Sequence, residues 1–162
     1  MEKRRTSGFT LVELIVVMGL LAAVLAMVAP TLSRSMRQRN LDNEAARFHA
    51  ATEYARNEAV SQGIPMIVWL DPEGLSFGVE AKQGFEGDEA RAREFELHDD
   101  IHLESDEKKK TNNVIVAMEF APDGSPEASN LEEVRFVWRE EPPVRVVKTK
   151  DGWSYEIVKE EK

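Results

Sequence analysis

A long apolar run lies close to the start of the printed sequence. From Leu14 to Ala29 no side chain is polar. A helix from Phe9 to Leu32 would be roughly 36 Å long at the usual rise of about 1.5 Å per residue. A hydrocarbon layer is about 30 Å thick, so the run predicts a membrane-spanning helix. Glu13 lies at its front, although a carboxylate directed into a bilayer costs roughly 2.5 kcal/mol or more.

Helical spacing continues beyond the apolar run, but on a more polar background. The small or apolar positions that recur at intervals of three and four are Leu41, Ala45, Phe48, Thr52, Ala55 and Ala59. Residues 33–63 are therefore predicted to continue the helix as an amphipathic segment, ended by Gly63 and Pro65. The small side chains favour a sheet packed close to this helix, and the alternative is a coiled coil with another chain. Pro30 removes a backbone donor and predicts a helix kink or local break.

Beyond Gly63 the period of the hydrophobic pattern changes to two, which is typical of β-strands. PMIVWL and LSFGVE predict two strands joined by a turn at DPEG, with Leu75, Phe77 and Val79 on one face. Residues 93–103 also alternate, and they predict either one long strand or two short strands. Their apolar face consists of Phe95, Leu97, Ile101 and Leu103.

Four further segments have strand character. VIVAMEF predicts a strand, and its proposed apolar face consists of Val114, Val116, Met118 and Phe120. The later candidates are VRFVW, VRVVK and WSYEIV, and Pro142 and Pro143 indicate that VRVVK begins at a sheet edge. KQGFEGDEARA is predicted to be a surface loop, and EKKKTNN a polar connection.

Together these elements predict an α+β fold. One long N-terminal helix, membrane-spanning in its first half, packs on a body built from residues 64–162. This body contains roughly seven strands in antiparallel hairpins, arranged as one β-sheet or two.

Charge and composition exclude some classes of function. The chain has 21 Lys and Arg against 30 Asp and Glu, a net charge of −9. Without residues 1–8 the balance is 18 against 29, or −11. An acidic body repels phosphate, so nucleic acid is not an expected partner. The absence of cysteine excludes disulfides, thiolate zinc sites and a cysteine nucleophile.

Three interpretations compete for the N-terminal segment: a cleaved secretory signal, a plain signal anchor, and a leader that is trimmed while the apolar helix stays. A secretory signal has a shorter apolar region, and Met27 interrupts the Ala-x-Ala pattern before Pro30. A plain anchor gives no role to Glu13. The trimmed leader accounts for more of these residues.

The segment KRRTSGFTLVEL resembles the class III leader of type IV pilins and type II secretion pseudopilins, and the resemblance covers residues 3–32. It implies that residues 1–8 are a leader, which a membrane prepilin peptidase cleaves between Gly8 and Phe9. Phe9 is then N-methylated, and residues 9–32 form the transmembrane and assembly helix. Glu13 pairs with the terminal amine of a neighbouring subunit, and Pro30 marks a stretch that can loosen.

Three later segments resemble one branch of this family. YARNEAVSQGIPMIVWL, MEFAPDG and DGW are similar to segments of the H-type minor pseudopilin of type II secretion and of related minor pilins. The branch implies a pilin-like helix capped by two β-sheets. It also implies a single-pass inner-membrane protein with its C-terminal body in the periplasm.

The resemblance implies a structural subunit and not an enzyme. As a minor pseudopilin, the chain would join sister pseudopilins in a hetero-oligomeric fibre that supports export of folded proteins across the outer membrane. Its other expected partners are the prepilin peptidase and inner-membrane lipid. The alternatives are a minor pilin of a type IV pilus, for assembly or DNA uptake, and a membrane-tethered periplasmic binding protein or enzyme.

The sequence gives only weak support for a metal site. His98, Asp100 and His102 would project from one side of a strand, a spacing that can present ligands to a metal. A solvated polar face explains the same pattern, because the opposite face is apolar. Acidic loops also offer oxygen ligands for calcium, but not at the spacing of a recognisable binding loop. The carboxylates concerned are Asp71, Glu73, Glu86, Asp88 and Glu89.

Motifs of catalysis are also missing from the sequence. It contains no glycine-rich phosphate cradle, GxSxG elbow or HExxH motif. We therefore expect no catalytic residue, cofactor or bound metal. Trp69, Trp138 and Trp153 lie in strand patterns and are expected in the core or on the sheet surface.

Overall fold

The computed structural model describes residues 9–73, 75–85, 92–105, 110–111, 114–127, 131–139 and 141–159. It divides into two compact units, Met1–Met36 and Arg37–Lys162. One helix, α1 (Leu11–Gln62), contributes residues to both units. Gly63 ends it with a positive φ of 67°, and the Gly63 N–H donates to the Ala59 carbonyl at 2.9 Å. The predicted helix stop is therefore confirmed.

Nine strands follow the helix within the described residues. They are β1 (Met66–Asp71), β2 (Ser76–Ala81), β3 (Arg93–Glu96), β4 (His102–Ser105), β5 (Lys110–Thr111), β6 (Val114–Phe120), β7 (Glu133–Val137), β8 (Val144–Lys148) and β9 (Tyr155–Lys159). They form a five-stranded sheet in the order β3-β2-β1-β6-β5 and a four-stranded sheet in the order β4-β7-β8-β9. Every pairing is antiparallel. The predicted α+β fold is confirmed, in its two-sheet form.

The second half of α1 packs on both sheets through the predicted stripe. Its fully buried members are Leu41, Ala45, Phe48, Ala55 and Ala59. The Phe48 ring lies 5.3 Å from the Phe77 ring in β2 and 5.7 Å from the Phe136 ring in β7, measured between centroids. One helical side chain thus joins the two sheets in a single core, while the neighbouring alanines let the strands approach closely.

Two polar side chains of α1 bind the edge strands. The Arg47 guanidinium donates to the Glu96 carbonyl of β3 at 3.3 Å. His49 Nε2 lies 2.8 Å from the Tyr155 carbonyl of β9, and because a carbonyl only accepts, this nitrogen carries the proton. β3 is an edge of the five-stranded sheet and β9 is an edge of the four-stranded sheet. α1 is therefore hydrogen-bonded to one edge strand of each sheet.

The alternating segment at residues 93–103 forms two strands that belong to different sheets. β3 pairs with β2, whereas β4 pairs with β7. Between them the Ile101 N–H donates to the His98 carbonyl at 2.8 Å and closes a turn. Leu97, Ile101 and Leu103 are buried as predicted. The chain therefore passes from one sheet to the other within a segment whose apolar and polar residues alternate without interruption.

The predicted apolar face of β6 is wrong at Val116. The pairing with β1 shifts between Val68, which is opposite Met118, and Trp69, which is opposite Val116. Ala117 is the extra residue of this β-bulge, and a bulge reverses which side chains face the core. Val116 is consequently 39% exposed, while Ala117 and Met118 are both fully buried.

Other strand predictions also need correction. β8 lies between β7 and β9, so it does not begin at a sheet edge as Pro142 and Pro143 indicated. Both prolines precede the first strand residue, where no donor to the ladder is required. The polar connection EKKKTNN contains the two-residue strand β5. Trp153 lies in the turn before β9 and is 52% exposed, whereas Trp138 is buried directly after β7.

The APDG and DGW segments form turns, as their sequences predict. The Asp123 carboxylate accepts from the Ser125 hydroxyl at 2.6 Å and from the Ser125 N–H at 2.9 Å. These hydrogen bonds hold the pKa of Asp123 below its usual value. Gly124 has a φ of 80°, and a Cβ there would lie 2.7 Å from Val60 Cγ2 of α1, so the turn requires glycine.

An ion pair holds the first turn of that part of α1 which belongs to the second unit. Arg37 donates from Nε at 2.9 Å and from Nη2 at 2.7 Å to one oxygen of Glu141, whose side chain is only 6% exposed. Glu141 lies between β7 and β8. The pair therefore joins the helix to the four-stranded sheet at a partly desolvated site.

We expect Arg37→Met to lower the free energy of unfolding of the body by about 2–3 kcal/mol, because it leaves a buried carboxylate without this partner. Arg39→Met is the matched control, since Arg39 is exposed, and it is expected to change stability by less than about 0.5 kcal/mol. Chemical denaturation of the full chain in detergent, followed by near-UV circular dichroism, measures both. Equal effects of the two variants would refute the structural role of this pair.

Candidate functional site

The helix that carries the candidate assembly residues starts with a capped turn. The Thr10 hydroxyl accepts a hydrogen bond from the Glu13 N–H at 3.2 Å, and the Thr10 carbonyl accepts one from the Leu14 N–H at 3.2 Å. Thr10 is therefore the N-cap, and Glu13 occupies the third helical position. A threonine followed three residues later by glutamate is the capping-box pattern. This pattern is present in TLVE, so the N-cap role of Thr10 could have been predicted from the sequence.

Glu13 is the only ionisable side chain between Phe9 and Ser33. It is exposed, and its carboxylate has no hydrogen-bond or ion-pair partner among the described residues. A negative charge in the first turn is favoured by the helix dipole. That gain is small compared with the cost of placing a carboxylate in lipid.

The two cleavage residues differ in what the structure describes. Gly8 lies outside the described residues. Phe9 directly precedes Thr10, and its side chain is 78% exposed. Cleavage after Gly8 and methylation of Phe9 therefore stay predictions from the sequence.

The first half of α1 exposes an apolar surface on all sides. Its large apolar residues from Leu11 to Leu32 are between 44% and 75% exposed, except Met27 at 78%. Among the described residues, α1 is the one helix that is long and apolar enough to cross a membrane. A helix that is apolar all round requires lipid or other apolar helices around it.

The helix is continuous through Pro30, so the sequence-based expectation of a local break is not met there. Ser33 Oγ donates to the Ala29 carbonyl at 3.1 Å one turn further on. A side chain that bonds back to a carbonyl one turn earlier often accompanies a bend in a helix. A kink at Pro30 stays a prediction.

The three candidate metal ligands do not share a strand. His98 and Asp100 lie in the turn between β3 and β4, and only His102 lies in β4. The His98 ring packs on Trp138, at 4.9 Å between ring centroids, and His98 Nδ1 accepts a weak hydrogen bond from the Asp100 N–H at 3.4 Å. No group of three or more potential ligands occurs within the described ranges.

Of the acidic calcium candidates, the structure describes Asp71 and Glu73. The Asp71 carboxylate accepts from the Glu73 N–H at 3.1 Å, which is the hydrogen bond of an ordinary turn. Glu86, Asp88 and Glu89 lie outside the described residues. The described part of the chain therefore brings these carboxylates into no common site.

The comparisons with known proteins agree with the N-terminal geometry and with the fold. A family model described as the prokaryotic N-terminal methylation motif matches residues 3–29. A sequence search of curated proteins found no match.

Two solved structures are similar to this chain in fold. One is the minor pseudopilin EpsH from the type 2 secretion system of Vibrio cholerae, with a TM-score of 0.54 and 11% identity over 74% of this chain and 97% of that structure. The other is the type IV minor pilin FimU of Pseudomonas aeruginosa, with a TM-score of 0.54 and 14% identity over 77% of this chain and 91% of that structure. At these identities the similarity establishes the fold.

The chain thus carries the N-terminal methylation motif at residues 3–29, and it has a pilin-like fold. More specifically, the fold of its body is similar to those of EpsH and FimU. The two comparisons have equal TM-scores, so they do not separate a secretion subunit from a pilus subunit.

Proposed function

We propose that the chain is a minor pseudopilin, a non-enzymatic structural subunit of the type II secretion pseudopilus that supports export of folded proteins across the outer membrane. Residues 1–8 are a leader that prepilin peptidase removes between Gly8 and Phe9, and the new terminal amine is methylated. Residues 9–32 then anchor the subunit in the inner membrane, residues 33–63 continue the helix, and residues 64–162 form the periplasmic body.

The observation that carries this proposal is the lone carboxylate of Glu13. It lies in the first turn of α1, in the apolar first half of the helix, four residues after Phe9. An amine at Phe9 of a neighbouring sister subunit supplies an opposite charge, so neither ion remains isolated in low dielectric. The same pair sets the axial register between neighbouring helices, which gives the glutamate a role that a simple anchor lacks.

Glu13→Val tests this pairing. We expect membrane insertion to be unchanged or improved, because the variant removes a charge from the span. Co-assembly with sister pseudopilins is expected to fall about tenfold or more, since an ammonium without a partner in lipid costs several kcal/mol. The measurement is co-purification of tagged sister subunits with the chain from membranes of a host that expresses the secretion system.

Glu156→Val is the matched control for this experiment. It makes the same substitution at an exposed position of β9, outside the apolar helix. Co-assembly should stay at the level of the unmodified chain. If Glu13→Val co-assembles as well as Glu156→Val, the pairing role is refuted.

The second candidate is a minor pilin of a type IV pilus, which the similarity to FimU favours as much as the similarity to EpsH favours secretion. A role in DNA uptake fits less well, because the chain without its first eight residues has a charge of −11. Complementation separates the two systems. A secretion subunit restores export to a strain that lacks its minor pseudopilin, whereas a pilus subunit restores pilus assembly.

A further inference from the structure

The outer face of the five-stranded sheet carries an aromatic residue surrounded by carboxylates. We call the outward-facing positions of β1, β2, β3 and β6 the Trp69 face. The register of the four strands assigns to it Ile67, Trp69, Asp71, Ser76, Gly78, Glu80, Glu94, Glu96, Val116 and Glu119. The opposite face of the same strands packs on α1 through residues such as Val68 and Phe77.

Gly78 allows the Trp69 indole to lie close against the sheet. The two residues are cross-strand partners. A Cβ at Gly78 would lie 2.4 Å from Cζ2 and 2.6 Å from Cε2 of the indole, and 2.6 Å from the Arg93 carbonyl oxygen. The indole therefore occupies the space that a side chain at position 78 would fill. Trp69 remains half-buried and not enclosed.

The β-bulge at Ala117 brings an apolar neighbour to this indole. Regular alternation along β6 would have directed Val116 into the core, but the bulge places it opposite Trp69 on the outer face. Trp69 and Val116 line an open cavity of about 590 Å³, together with Ile67, Lys82 and Glu119. Gly78 and the bulge at Ala117 thus both contribute to one apolar area, Trp69 and Val116, on the outer face of the sheet.

The charges around this spot are predominantly negative. The five carboxylates of the face are Asp71, Glu80, Glu94, Glu96 and Glu119. Glu80, Glu94 and Glu96 have no ion-pair partner within the described parts of the chain.

Two cations border the face among the described residues. Lys82 pairs with Glu119, and that hydrogen bond and charge, with a further contribution from Glu127, raise the pKa of Lys82. Arg93 lies on the helix-facing side of β3, where its guanidinium is 4.2 Å from the centre of the Tyr54 ring. Within the described parts of the chain, the half-buried indole therefore lies in a negative local field.

We propose that the Trp69 face binds a partner protein through a basic segment, with a lysine or arginine side chain placed over the indole and its neighbours contacting Val116. A cation over an indole is attracted by the ring, and surrounding carboxylates add attraction and steer the approach. An aromatic residue at the centre with a charged rim is also the usual composition of an interaction hot spot. This inference does not rest on the proposed function, because Phe9 and Glu13 lie outside the face.

The test uses the full chain in zwitterionic detergent micelles and an eight-residue peptide of alternating arginine and alanine. The chain has three tryptophans, so each indole N–H gives one NMR signal, and Trp69→Phe identifies that of Trp69. We expect a saturable shift of the Trp69 signal and no shift for Trp153, which is a more exposed indole outside the Trp69 face. Raising the salt from about 50 mM to about 300 mM should weaken binding about fivefold.

Two controls decide whether charge is responsible. A peptide with citrulline in place of arginine has the same shape without the cation, and it should bind about fivefold more weakly or not at all. The double variant Glu80→Gln with Glu94→Gln should show the same loss, whereas Glu156→Gln on the other sheet should show none. Equal binding of the citrulline peptide, an equal shift at Trp153, or no shift at Trp69 would overturn the proposal.

Discussion

Replacing Gly8 by leucine is expected to leave the chain uncleaved, at its full length of 162 residues. We expect the peptidase to accept glycine before the cleaved bond and to exclude a bulky, branched side chain at the same position. The unmodified chain should instead begin at Phe9 and carry a methyl group on its terminal amine. Intact-mass measurement and N-terminal sequencing, after expression in a host with the peptidase, report both states.

Gly8→Ala provides the control for this substitution, because it adds only one methyl group at the same position. We expect this variant to be cleaved at least in part. If the unmodified chain retains Met1 in a competent host, the leader assignment is wrong. If Gly8→Leu is cleaved as efficiently as the unmodified chain, the proposed cleavage site is wrong.

Phe48→Ala is expected to destabilise the body by about 3–5 kcal/mol, which is a large fraction of the stability of an ordinary domain. The Phe48 side chain is fully buried and contacts a phenylalanine from each sheet. Removing it would leave a cavity at the point where the helix and both sheets meet. Chemical denaturation of the full chain in detergent, followed by near-UV circular dichroism, measures the change in the free energy of unfolding.

Val60→Ala is the corresponding surface control on the same helix, since Val60 is 55% exposed. It is expected to cost less than about 1 kcal/mol. A Phe48→Ala variant as stable as Val60→Ala would show that the two sheets do not depend on a shared core.

The sequence was sufficient to predict the fold class because its periodicities are strong. Spacings of three and four residues from Leu41 to Ala59 correspond to the face of α1 that the sheets cover. Alternation of period two located most of the strands. It could not identify the change of sheet after β3, because a turn at residues 97–101 keeps the apolar side chains in phase.

The bulge in β6 also could not be predicted from the hydrophobic pattern of the sequence. A single extra residue, Ala117, places Val116 on the outer face, and nothing in VIVAMEF distinguishes that residue from a regular position. Exposure of Val116 and the close approach of Trp69 to Gly78 are consequences of tertiary structure. Short-range patterns describe neighbours along the chain, whereas these contacts join different strands.

The candidate assembly residues, in contrast, were predicted from the sequence alone, and they stay predictions. One carboxylate at the front of an apolar run is conspicuous because its cost in lipid is high. The match of the N-terminal methylation motif to residues 3–29 includes Gly8, Phe9 and Glu13. The capping role of Thr10 required coordinates to establish, although the pattern that predicts it was present in the sequence.

The bonds from Arg47 and His49 to the edge strands have a consequence for solubility. Subunits held at high density in one membrane would meet repeatedly with their sheet edges, and unpaired edges promote uncontrolled strand pairing between molecules. Here α1 occupies carbonyls on β3 and β9 that a foreign strand would otherwise use. These two hydrogen bonds therefore reduce the tendency of the edge strands to pair with other molecules. Variants of Arg47 or His49 should aggregate sooner, even where the fold survives.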